Sequence, residues 1–72
     1  MKPNSHTIGP RLKLYAQQKK VSQAQLSAAV SISRIALNRF FMGHSEVRAT
    51  DLVNLMLELG LEPMKNLPEL LT

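Results

Sequence analysis

The chain has 72 residues, 44% of them hydrophobic and 19% charged, which makes one folded domain over residues 1–72 whose small core leaves self-association as the expected source of extra stability. It has no cysteine, only His6 and His44, and five scattered acids, so no metal site, Ser-His-Asp set or Gly-rich phosphate loop can be assembled, and neither an enzyme nor a cofactor is expected. The net charge of +4 is unevenly placed: residues 1–45 carry +7 with no Asp or Glu, and residues 46–72 carry −3.

An acid-free basic half is what a polyanion-binding face requires, because phosphate contacts release counterions and carboxylates would repel the backbone. A basic surface kept for solubility is equally compatible with the charge alone. The apolar stretches are too short to span a membrane. The opening MKPNSHTIGP has no apolar run of the secretory kind. No membrane partner is therefore expected, and the expected location is the cytoplasm.

Residues 1–7 read as a loose N-terminal tail with turn chemistry and no periodicity. A first helix is expected from about Ile8 to Lys19, with Thr7 as its cap and Pro10 in the first turn, where a missing amide costs nothing. Ile8, Leu12 and Tyr15 share its inner face, and Lys19 and Lys20 suit the negative pole of its dipole.

The central stretch is SQAQLSAAVSISRIALNRFFMG, residues 22–43. It begins with a capping box and hydrophobic staple: Ser22 caps, Gln25 reciprocates, and Val21 can pack on Leu26. Ile32, Ser33 and Leu37 repeat the cap and the staple. A second helix over about Gln23–Ala29 and a third over about Arg34–Met42, joined through Ser31 and closed by Gly43, form a helix-turn-helix. His44 to Ala49 reads as a loop. A fourth helix is expected to begin with Thr50 as cap and Asp51 in its first turn, and to end at Gly60. Residues 61–72 form a C-terminal segment with a short fifth helix over about Pro68–Leu71. No β-pattern or repeat appears, so the fold class is all-α: a small domain of four to five helices.

The third helix can be placed on a wheel at about 100° per residue. Ala36, Leu37, Phe40 and Phe41 fall on an inner side. Arg34, Ile35, Asn38 and Arg39 fall on the other, and these are side chains that read a major groove. Arg pairs bidentately with guanine, Asn with adenine, and an aliphatic group meets a thymine methyl. A solvated face is the plainer account of such a helix in isolation. The doubled caps and the charge split favour DNA.

The stretch Ser22–Gly43 resembles the helix-turn-helix of the lambda-repressor-like (XRE, Cro and C1-type) DNA-binding family. The family's capping Ser or Thr, first-position Gln, Leu, small residue, turn residue, aliphatic and second cap correspond to Ser22, Gln23, Leu26, Ser27, Ser31, Ile32 and Ser33. Leu37 and Gly43 match the later aliphatic and the closing glycine. Ser31 stands where the family has a turn glycine, Ser27 where it usually has alanine, and Phe41 where it often has glutamate.

The resemblance implies a four- to five-helix lambda-repressor-like domain that binds double-stranded DNA. Base contacts would come from Arg34, Ile35, Asn38 and Arg39. Ser22, Gln23, Ser33, Lys19, His44, Ser45 and Arg48 would hold the DNA backbone, although for the last three a solvated loop is a comparable account. It implies a prokaryotic or phage-encoded transcriptional regulator, most simply a dimeric repressor on a palindromic operator. The dimer would form through Leu57, Leu61, Met64, Leu67, Leu70 and Leu71. Many small members of the family are antitoxins, so the alternative is the antitoxin subunit of a toxin-antitoxin module, with a toxin protein as a second partner.

Overall fold

A computed structural model of the chain describes residues 5–66. Four helices follow one another in it: α1 (Ser5–Gln18), α2 (Gln23–Val30), α3 (Arg34–Phe41) and α4 (Ala49–Glu58). A helical turn over residues 63–66 lies at the edge of this region, and no strand occurs among the described residues. The domain is all-α, as the periodicity requires. The expected fifth helix over Pro68–Leu71 lies outside the described residues.

The core follows from one stripe on each helix. Ile8, Leu12 and Ala16 of α1 stand one turn apart and are buried, as are Leu26 and Val30 of α2, Leu37, Phe40 and Phe41 of α3, and Leu55 and Met56 of α4. Leu59 and Leu61 close the cluster, with Tyr15, Val21, Ile32, Val47 and Leu52 packed against it. Every buried side chain among the described residues is apolar. α1 packs on α3, and α2 packs on both α3 and α4. The Phe40 and Phe41 rings, with centroids 6.0 Å apart, fill the centre of this arrangement.

Two helix starts differ from expectation. α1 begins at Ser5 and not after a Thr7 cap, so Pro10 lies inside the helix, where one backbone hydrogen bond to the preceding turn is forgone. α4 is capped at Arg48 rather than Thr50, with no side-chain hydrogen bond at the cap, and Asp51 stands in its first turn as expected. The favourable interaction of Asp51 with the positive end of α4 takes over part of what the missing cap would supply.

All four helices are followed by a residue in the left-handed region: Lys20 (φ 58°), Ser31 (φ 60°), Gly43 (φ 79°) and Gly60 (φ 76°). After each of these residues the next amide reaches back five residues. Val21 donates to Ala16, Ile32 to Ser27, His44 to Arg39 and Leu61 to Met56. These bonds satisfy carbonyls that the helix ends would otherwise leave open. They also turn Val21, Ile32 and Leu61 inward, where each adds apolar surface to the core.

Gly9 has a separate and stricter role. A Cβ built on it would lie 1.8 Å from the Phe40 carbonyl oxygen, so α1 approaches α3 backbone to backbone at this point. No side chain fits there. The helix-interior glycine beside Pro10 was the only sequence signal of this contact.

Candidate nucleic-acid interface

The first side of the site is built at the start of α2. The Ser22 hydroxyl accepts from the Gln25 amide at 3.1 Å, and the Ser22 amide donates to Gln25 Oε1 at 2.8 Å. This reciprocal capping box fixes the first turn and sets the direction of Gln23. At the start of α3, the Ser33 hydroxyl accepts from the Ala36 amide at 3.1 Å. Both hydroxyls keep their own proton for another acceptor, and each sits at the positive end of a helix. Both serine caps are as expected.

Between these starts lies the turn. Ser31 takes the left-handed conformation that the family gives to glycine, with its amide donating to the Ser27 carbonyl. Ser27 does more than fill space at the crossing: its hydroxyl donates to the carbonyl of Ile32. One residue thereby ties both ends of the turn. The two departures from the family pattern compensate for each other, since the strain at Ser31 is accompanied by a side-chain hydrogen bond that alanine at position 27 could not make.

On α3 the inner and outer sides separate as the wheel requires. Leu37, Phe40 and Phe41 are buried and Ala36 is half-buried. Phe41 adds core rather than surface. Arg34, Ile35, Asn38 and Arg39 are all exposed. With Gln23, these four line a shallow depression of about 410 Å³. The turn thus carries the first residue of α2 to the outer face of α3, and five residues from two helices form one surface. It holds two cations, two amides and an aliphatic group, and no carboxylate.

The remaining expected contacts divide. His44 and Arg48 are exposed and Ser45 is half-buried in the loop between α3 and α4, and the His44 amide is tied to the Arg39 carbonyl at 2.9 Å. Arg48 stands at the start of α4. Lys19 is directed elsewhere: its ammonium lies 3.3 Å from where a Cβ on Gly60 would be. It therefore sits at the negative end of α4, which attracts a cation, and it is not among the residues that line the depression. Leu61 likewise does not belong to an outer surface. It is 8% exposed, because the closing turn of α4 folds it into the core. Leu57 and Met64 are 58% and 94% exposed, and Leu67, Leu70 and Leu71 lie outside the described residues.

A helix-turn-helix whose second helix buries its aromatic side and exposes a cationic, amide-bearing side is the architecture of a DNA-binding domain. The sequence model of the helix-turn-helix family matches residues 12–65, and the chain belongs to that family, in its XRE or lambda-repressor-like branch. It is a DNA-binding helix-turn-helix regulator. No curated protein and no solved structure matches the chain. Among the described residues, no group of three or more His, Cys, Asp or Glu could hold a metal ion, and no helix is long and apolar enough to cross a membrane.

Proposed function

We propose that the protein is a sequence-specific transcriptional repressor that acts as a homodimer on a palindromic operator in the cytoplasm of a prokaryotic cell. Each protomer lays α3 in the major groove, where Arg34, Ile35, Asn38 and Arg39 meet base edges. Ser22, Gln23 and Ser33 hold phosphate oxygens at the starts of α2 and α3, and His44, Ser45 and Arg48 hold the backbone beyond α3. The observation that carries this reading is the single surface formed by Gln23, Arg34, Ile35, Asn38 and Arg39, opposite a fully buried Leu37–Phe40–Phe41 side.

The dimer reading rests on aliphatic side chains left uncovered in one protomer. Ala49, Val53 and Leu57 stand one turn apart on the outer side of α4. Val53 and Leu57 are exposed, as is Met64 beyond the helix. In this proposal Val53, Leu57 and Met64 form the apolar surface of a twofold seam, without the buried Leu61, and Leu67, Leu70 and Leu71, which lie outside the described residues, are its expected continuation. The same uncovered aliphatics support a second reading, in which the partner is a toxin protein and the chain is an antitoxin that represses its own operon.

Selection of bound duplexes from a random pool, with stoichiometry measured on the winning sequence, tests the proposal. A palindromic site with half-sites about one turn apart, bound by two protomers, is the expected result. Equal affinity for every duplex would sink the specific-repressor reading. A single protomer per site would remove the dimer, and a stoichiometric second protein that covers α4 in the native host would replace it with the antitoxin reading.

A further inference from the structure

One side chain on the outer face of α3 is explained by neither the fold nor the charge. Ile35 is 75% exposed and lies in the depression lined by Gln23, Arg34, Asn38 and Arg39. A β-branched residue in a helix gives up side-chain freedom, and its apolar surface gains nothing while it faces water. The core is complete without it. Its neighbours are two guanidinium groups and two amides, so an apolar protein surface is a poor match for its setting, whereas a polyanion with one apolar feature is a good one.

The major groove has such a feature. Its edges are donors and acceptors except at the C5-methyl of thymine. Resting on the reading that this face enters the major groove, we propose that Ile35 recognises the 5-methyl group of a pyrimidine in each half-site. The contact responds to the methyl and not to the A·T pair, so 5-methylcytosine satisfies it and uracil or unmodified cytosine does not. Arg39 stands one helical turn from Ile35, about 6 Å between Cβ atoms. The methylated pyrimidine therefore lies within one or two base steps of the base that Arg39 takes. The single favoured rotamer of isoleucine in a helix holds the sec-butyl group in place before DNA arrives, which lowers the ordering cost of the contact.

The test starts from the best duplex selected from a random pool. If no sequence is selected, the underlying major-groove reading fails, and this is seen before any methyl is altered. Each thymine of the selected site is then replaced in turn by uracil, and each T·A pair by C·G and by 5-methylcytosine·G. At one position of each half-site, loss of the methyl is expected to weaken binding about fourfold in both comparisons, the fold-change of one methyl-sized apolar contact. Ile35→Ala should bind the methylated and unmethylated duplexes equally, and Ile35→Val should keep part of the difference. Unchanged melting temperatures of both variants establish that the fold is intact. Equal binding of thymine and uracil duplexes by the parent at every position overturns the proposal. So does a full uracil penalty in Ile35→Ala, which would assign the methyl to another side chain.

Discussion

α3 and α4 are built alike on the inside and differently on the outside. Each buries a stripe of large apolar side chains, Leu37, Phe40 and Phe41 on one and Leu55 and Met56 on the other. The outer side of α3 carries Arg34, Asn38 and Arg39 around a single isoleucine. That of α4 carries Val53 and Leu57 beside Ala49, Thr50 and Asn54, with a shallow hollow of about 340 Å³ among Ala49, Thr50, Val53 and Asn54. The inner stripes are interchangeable in kind, because burial asks only for volume and apolarity. The outer faces are not interchangeable: one carries cations and amides, and the other carries aliphatic side chains beside small polar ones. The fold is thus specified by what the helices share and the partners by how they differ.

The largest expected effect breaks the shared inner side. Gly9→Ala puts a methyl into the Phe40 carbonyl, and neither backbone can yield without separating α1 from α3. A loss of about 3 kcal/mol is expected, against a total stability of about 4–10 kcal/mol for a chain of this length. Chemical denaturation measures it, and an unchanged midpoint would mean that the two helices are not in contact there. Phe40→Ala should cost about as much, through the cavity it leaves.

Next come substitutions that separate the two outer faces. Arg39→Ala is expected to cost about 1–3 kcal/mol on the selected site and to relax preference at one base pair, while stability stays within about 0.5 kcal/mol. Equal weakening on every duplex would make Arg39 a phosphate contact. Leu57→Glu should act the other way. If the proposed twofold seam runs through α4, the sedimentation-measured mass shifts from dimer to monomer, while the affinity of one protomer for a half-site stays in place. A variant that stays dimeric would move the seam off α4.

Smaller effects test the joints between these regions. Ser31→Gly removes the left-handed strain of a side-chain-bearing residue at some entropic cost, for a net gain of about 0.5–1 kcal/mol and a melting temperature raised by about 4 °C. Ser27→Ala should lose about 1 kcal/mol, the hydrogen bond to Ile32. The smallest is Lys19→Ala. Its ammonium at the end of α4 predicts a loss of about 0.3–1 kcal/mol of stability with the salt slope of DNA binding unchanged. A flatter slope would return Lys19 to the DNA backbone.

Local side-chain chemistry was enough to place the serine caps and the capping box, the helix stops at Gly43 and Gly60, and the two sides of α3. Each of these depends on residues within about a turn of one another, so spacing and side-chain chemistry suffice. The outer surface was half legible. Its α3 members follow from a helical wheel, whereas the arrival of Gln23 beside them depends on the angle of the turn, which Ser27 and Ser31 set together. Other placements arose only when the helices packed. Packing put Leu61 in the core and the Lys19 ammonium at the end of α4, brought Gly9 against the Phe40 carbonyl, and made Arg48 rather than Thr50 the start of α4. These outcomes depend on partners distant in the chain or on competition between neighbouring caps, and no periodicity records either. At Ile35 the tertiary structure agrees with the helical wheel: the described core closes without it, and it stays 75% exposed beside Gln23, Arg34, Asn38 and Arg39.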